Sequence, residues 1–212
     1  MVYIFYSKFS AKLSSESYNY FLQQLPFFIQ KKISNFRKWQ DAYRSLLGNI
    51  ILIKGLTFLE LNLYSLSNLK YAEYQRPYLD DLIDFNISHS GEYIICAISE
   101  TNKVGIDIEE ICNIQISDIN DQFSDHEWER ILLADNSLHA FYKFWTQKEA
   151  FLKGIGFGLN IPINELNVLN NTVTWDGKRW FLHEIKLDEK YSSYLSTNIP
   201  LTQIVTQKID LY

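Results

Sequence analysis

The chain has 212 residues, 47% of them hydrophobic and 21% charged, with eight Gly and four Pro, which excludes a disordered chain and allows one large domain or two small ones. A net charge of −5 disfavours broad nucleic-acid binding while leaving room for a local basic pocket. No apolar run reaches the ~18 residues that span a membrane, and the start, Met1 to Lys8, lacks the charged opening and apolar core of a signal peptide, so a cytoplasmic protein is expected.

Val2 to Phe9 reads as a strand. Ser15 to Leu25 has helical spacing and closes near Pro26, and Phe27 to Lys38 is a second helical stretch, basic at Lys31, Lys32, Arg37 and Lys38. Asp41 is a candidate cap for a third helix carrying Leu46, Leu47, Ile50 and Ile51, with Arg44 and Gly48 four apart on its less apolar side. A Gly inside a helix costs about 1 kcal/mol against Ala, which points to close packing or close ligand approach. Leu56 to Ser65 fits helix or strand equally, and Ser67 to Asp81 reads as loop. Asp84 to Ser88 and Tyr93 to Ser99 then predict a hairpin turning at His89-Ser90-Gly91-Glu92, with Cys96 a buried thiol; neither it nor Cys112 has metal spacing.

Val104-Gly105-Ile106-Asp107-Ile108-Glu109-Glu110 is the most informative stretch. Alternation on a strand puts Ile106 and Ile108 on one face, and Asp107 and Glu109 on the other, roughly 7 Å apart. Two carboxylates so close call for solvent or a cation between them, and Mg²⁺ uses one or two carboxylates plus substrate phosphates. Ser124 and Glu127 have capping-box spacing at the start of a helix; Glu127 is therefore either a cap or a carboxylate base. On the helix from Leu138 to Lys153, Trp145, Glu149 and Lys153 share a face, giving either an ordinary Glu–Lys pair or a metal ligand beside a phosphate-binding cation. Gly154, Gly156 and Gly158 read as a helix stop, since no G-x-x-x-x-G-K-[ST] is present. Short strands follow at Leu166–Leu169, 172–175, 180–185, 194–198 and 203–208. Helices followed by an antiparallel meander, twice over, predict two similar α+β lobes, 1–102 and 103–212, with the acidic strand at their seam.

Taken together, Phe85-Asn86-Ile87-Ser88-His89-Ser90-Gly91, the acidic strand, Phe144-Trp145-Thr146-Gln147-Lys148-Glu149-Ala150-Phe151-Leu152-Lys153, Arg44 to Gly48, and Phe123-Ser124 with Glu127 make the chain resemble the Sfp-type 4′-phosphopantetheinyl transferases from about Asp41 to Leu159. The resemblance implies an α+β fold of two similar lobes in pseudo-twofold arrangement. It also implies a holo-[acyl-carrier-protein] synthase type of reaction: a monomer moves the phosphopantetheine arm of its co-substrate coenzyme A onto a serine of an apo acyl or peptidyl carrier protein. By the resemblance, Asp107, Glu109 and Glu149 hold Mg²⁺, or Mn²⁺ in its place. Ser88 and His89 contact a coenzyme A phosphate, and Arg44 with Lys31 or Lys32 binds the 3′-phosphate. Lys153 acts on the leaving phosphate, and Glu149 or Glu127 takes the serine proton. The family's Gly-Lys-Pro near the adenine is replaced by Gln75-Arg76-Pro77, where a Gln is expected to resist a positive φ; Arg76 and Pro77 are carried over as coenzyme A contacts. Tyr78 and Leu79 are candidates for carrier docking. The competing readings are a catalytically silent binder of carrier proteins or coenzyme A, and another Mg²⁺-dependent enzyme acting on a nucleotide pyrophosphate.

Overall fold

The computed structural model describes residues 1–211. In chain order come β1 (Val2–Lys8), α1 (Ser15–Gln23), α2 (Phe27–Ser34), α3 (Trp39–Phe58), β2 (Lys70–Tyr71), β3 (Pro77–Tyr78), β4 (Asp84–Ser90) and β5 (Tyr93–Ser99). They are followed by β6 (Val104–Glu110), α4 (Asp125–Leu132), α5 (Ser137–Ile155), β7 (Thr172–Trp175), β8 (Lys178–Glu184), β9 (Tyr191–Thr197) and β10 (Ile204–Lys208). Two four-stranded sheets form, β10-β1-β5-β4 and β6-β9-β8-β7, beside a small β2-β3 ribbon. The architecture is α+β, as expected. The first sheet is not a pure meander, because β10 returns from the far end of the chain to pair parallel with β1. A division into lobes 1–102 and 103–212 remains a proposal; Tyr212 lies outside the described residues.

Local sequence explains most element ends. Ser14 accepts from the Ser17 N–H to cap α1, and Pro26 stands at the cap position of α2. Helix α3 starts at Trp39 with Lys38 at the cap and no capping side chain, so Asp41 lies in the first turn, where its charge favours the positive helix end. The helix continues to Phe58, which settles the ambiguous Leu56 region up to that residue. Within the stretch read as loop, the β2-β3 ribbon turns through Ala72–Arg76, and Gln75 holds φ +63 there. A Gln thus accepts the positive φ after all, at a cost of about 1 kcal/mol. His89 and Ser90 belong to β4, and the turn is Gly91-Glu92. No strand forms at Leu166–Leu169: a 3₁₀ turn, Ile163–Glu165, precedes it, and Leu169 makes only one bridge, to Thr172.

The seam between the sheets is built in an unusual way. Strands β4 and β6 are both edge strands and share no backbone ladder. Instead, alternate β4 side chains accept the β6 N–H groups. Asp84 Oδ2 takes Val104 N–H at 2.7 Å, Asn86 Oδ1 takes Ile106 N–H at 2.9 Å, Ser88 Oγ takes Ile108 N–H at 3.4 Å, and Ser90 Oγ takes Glu110 N–H at 3.0 Å. The intervening Phe85 and Ile87 face α3, where Gly48 leaves room for the Ile87 side chain, the close packing that a glycine inside a helix implies. On the other side of β6, α5 comes so near that a Cβ on Gly105 would collide with the Ala150 carbonyl oxygen and the Gly154 nitrogen. Gly154 is therefore a packing residue inside the helix, and Gly156, at φ +80, ends it. No helix among the described residues is long and apolar enough to cross a membrane.

A buried donor left without a partner costs ~1–3 kcal/mol. Asn86 is 7% exposed and is the acceptor for Ile106 N–H. Asn86→Ala is accordingly expected to lower the unfolding free energy by about that amount in urea titrations; an unchanged midpoint would show that the side-chain ladder does not support the seam.

Candidate active site

Asp107 projects from β6 into the seam and is 1% exposed, not solvated as strand alternation implied. Its Oδ1 accepts from Ser88 Oγ at 2.9 Å and from Lys153 Nζ at 2.5 Å, while its buried Oδ2 has no partner. Removing Asp107 would strand both donors, so its loss touches the fold as well as the chemistry. Glu109, two residues on and half-buried, accepts from Ser90 Oγ at 2.8 Å. Burial, and then the Asp107 charge, push the Glu109 carboxyl above its ordinary range. The same two causes, in the same order, raise that of Glu149, with Lys153 opposing.

Among the described residues, no three His, Cys, Asp or Glu side chains stand close enough to hold a metal as they are. Asp107, Glu109 and Glu149 feel one another's charge without converging. The orphaned Asp107 oxygen and the two raised carboxyls nevertheless mark a place short of positive charge, with the hard oxygen donors that a divalent cation such as Mg²⁺ takes. The donor set fits that ion.

Lys153 does not pair with Glu149 along the helix. Its ammonium crosses the seam to Ser88 Oγ at 2.9 Å and to Asp107. The buried part of the His89 ring lowers its pKa first, and the charges of Arg44 and Lys153 push the same way. Arg44, from α3, is half-buried. It donates to the Gly91 carbonyl at 3.2 Å, meets Asp41 at 3.4 Å, and leaves a buried Nε unpartnered. His89 shares the alternation of Phe85 and Ile87, on the α3 side of β4, and feels the charges of both Arg44 and Lys153.

Other expected residues fall elsewhere. Lys31 and Lys32 are exposed on α2, with Lys32 over the Tyr71 ring at 5.6 Å, and neither touches the cluster. Ser88 is spoken for by Asp107, Lys153 and Ile108, which makes it a positioning group. The Arg76 guanidinium is turned inward onto Asp84 and is only 12% exposed, and Pro77 lies in the ribbon opposite Tyr71. Glu127 is the clearest departure. It completes the capping box with Ser124, accepts Val168 N–H, and pairs with Lys148 at 2.6 Å, both side chains being 0% exposed. With no path to solvent and both oxygens engaged, it anchors α4 to α5. Lys148 and Ser90 were not singled out by sequence; Ser90 holds Glu109, and Lys148 pins α5 to Glu127 away from the cluster. The signal for Ser90 was present in the two-residue spacing of Asp84, Asn86, Ser88 and Ser90. A cavity of about 940 Å³, lined in part by Tyr74, Phe157 and Trp175, opens beyond the end of α5 and contains no member of the carboxylate cluster.

A family model described as the 4′-phosphopantetheinyl transferase superfamily matches residues 103–203, spanning both β6 and α5. The 4′-phosphopantetheinyl transferase gsp of Aneurinibacillus migulanus is 36% identical over 185 residues, covering 80% of this chain and 77% of the relative. The 4′-phosphopantetheinyl transferase Sfp of Bacillus subtilis (strain 168) is 34% identical over 145 residues, which is 66% of this chain and 63% of the relative. The crystal structure of Thermotoga maritima holo-[acyl-carrier-protein] synthase overlaps 45% of this chain and 61% of its own at 20% identity and a TM-score of 0.38. With the gsp relative matched over most of both chains, and the matched family region holding Asp107, Glu109, Glu149 and Lys153, this chain belongs to the 4′-phosphopantetheinyl transferase superfamily.

Proposed function

We propose that the protein moves the 4′-phosphopantetheine arm of coenzyme A onto a serine of an apo acyl or peptidyl carrier protein, in a holo-[acyl-carrier-protein] synthase type of reaction. The observation that carries this reading is Lys153 reaching from α5 across the seam to Ser88 on β4 and Asp107 on β6, so that separate sequence motifs share one cluster. The complete set of Asp107, Glu109, Glu149 and Lys153 disfavours a silent binder. One chain carries the whole cluster, so a monomer suffices, and we place it in the cytoplasm.

Asp107 Oδ2, Glu109 and Glu149 are the residues that would hold Mg²⁺ or Mn²⁺. When bound, the ion neutralises pyrophosphate charge. In the reaction, the carrier serine oxygen forms a new bond to the phosphorus bearing the pantetheine arm. The phosphorus–oxygen bond to adenosine 3′,5′-bisphosphate breaks, and its electron pair leaves with the bisphosphate. Glu149, on the face of α5 that carries Lys153, is the residue we assign to take the serine proton. Lys153 turns from Asp107 to the leaving phosphate and neutralises it. His89 donates a hydrogen bond to a phosphate, and Arg44 receives the 3′-phosphate.

Three measurements check this. Lys153→Ala is expected to lower kcat by ~10²-fold or more with little change in KM for coenzyme A, as for a group acting in the transition state; a change under about twofold would leave Lys153 as a structural partner of Asp107. Arg44→Ala is expected to raise KM for coenzyme A roughly tenfold, since charge-assisted phosphate contacts are worth ~1.5–3 kcal/mol, and to matter far less with 3′-dephospho-coenzyme A. Equal losses on both substrates would make Arg44 structural. The third concerns pH. Glu109 and Glu149 have raised pKa values when folded, so just above the ordinary carboxylate range the folded protein binds more protons than the unfolded chain, and stability falls as pH rises through that window. Mg²⁺ competes for the same oxygens, so it is expected to raise Tm more at about pH 8 than at about pH 5. A Tm shift independent of pH would remove these carboxylates from the metal site.

A further inference from the structure

We propose that Arg76 is a positioning residue that sets the reach of Lys153 by locking the last turn of α5 to the head of the seam. The proposal rests on the role assigned above to Lys153. The guanidinium grips Asp84 with both arms, Nη1 to Oδ1 at 2.9 Å and Nη2 to Oδ2 at 2.8 Å. Its Nε donates to the Lys153 carbonyl at 2.9 Å, and Nη2 also donates to the Val104 carbonyl at 2.9 Å and meets the Phe85 carbonyl at 3.4 Å. One side chain, 12% exposed, therefore binds β4, β6 and α5 at once.

The contact to Lys153 decides its meaning. The last carbonyls of a helix have no partner within it, and that of Lys153 is one of them. Arg76 supplies the partner and brings a cation to the negative helix end. Gly156, the next residue but two, has no side chain in the way; a Cβ there would lie 2.8 Å from Arg76 Cδ. The Arg76 arm thus crosses the helix end where Gly156 leaves a gap, and the backbone of Lys153 is held from behind while its ammonium reaches forward. The forward contacts are Ser88 on β4 and Asp107 on β6. The rear anchors are Asp84 and Val104 on the same two strands. Backbone and side chain of Lys153 are in this way referenced to one pair of strands at two heights, and Arg76 closes the frame. A Lys at 76 could not replace it, because an ammonium is a point charge and cannot hold a carboxylate and two carbonyls in a planar fork.

The test is a double-mutant cycle between Arg76→Lys and Lys153→Ala, with transfer followed from coenzyme A and from 3′-dephospho-coenzyme A at a temperature where every variant is folded by circular dichroism. The wild type serves as the control on the reaction itself. Arg76→Lys is expected to lower kcat by about tenfold on both substrates, with KM moving less than about twofold, and to cost nothing further once Lys153 is Ala. The side-chain ¹⁵N resonance of Lys153 is expected to shift in Arg76→Lys. A rise in KM confined to coenzyme A would make Arg76 a phosphate contact and overturn the proposal. Additive losses in the cycle, or an unmoved Lys153 resonance, would overturn it as well. Arg76→Gln, which keeps a planar donor without charge, gives the same readings if the Lys variant fails to fold. A wild type that transfers nothing would remove the proposed reaction, while the Lys153 resonance would still report the positioning.

Discussion

The structure depends on a seam made by side chains. Two sheet edges meet at β4 and β6, and an exposed edge of N–H groups normally demands a partner strand. Here the oxygens of Asp84, Asn86, Ser88 and Ser90 serve instead. A side-chain ladder holds the two strands together, and Ser88, one of its rungs, also donates to Asp107 and accepts from Lys153 where those two meet. Phe85 and Ile87 on the opposite face tie the same strand to the first core, so the polar face cannot rotate away.

This arrangement concentrates charge where it is costly. Asp107 is buried, Glu109 and Glu149 are half-buried, and burial disfavours ionisation of Glu109 and Glu149, with the charge of Asp107 adding to the cost for both. Lys153 offsets part of it through Asp107. Clusters of mutually perturbed carboxyls beside a cation are a signature of sites that bind a further charge. The remaining orphan oxygen of Asp107 is the physical reason the cluster suits a cation together with an anionic substrate.

A second buried pair serves packing alone. Lys148 donates to Glu127, to the Gln122 carbonyl at 3.2 Å and to the Ile163 carbonyl at 3.0 Å, beneath the Phe123 ring. Its neighbour on α5 is Glu149. One residue pins the helix to the second core, and the next faces the seam, so adjacent positions with similar polarity have opposite duties. The Gly105–Gly154 approach and Ser196 Oγ on the Ala150 carbonyl at 2.7 Å fix the same helix against β6 and β9.

The sequence alone was enough for the acidic strand, the helix bearing Glu149 and Lys153, the capping box of Ser124 and Glu127, and the two-sheet α+β class. Each of these is written in local periodicity or in caps whose partners lie within four residues. Motif order was likewise legible, and with it the family. Only tertiary structure decided which way the charges point. Lys153 ignores Glu149, four residues away, for Asp107, 46 positions distant; Arg76 turns inward to Asp84; Glu127 is buried against Lys148; and β10 crosses to β1. Flexible charged side chains take their partners from whatever the fold brings near, and a strand edge accepts any strand of matching register. Spacing along the chain carries no record of either choice, because the electrostatic and hydrogen-bonding terms that make it arise between residues far apart in sequence.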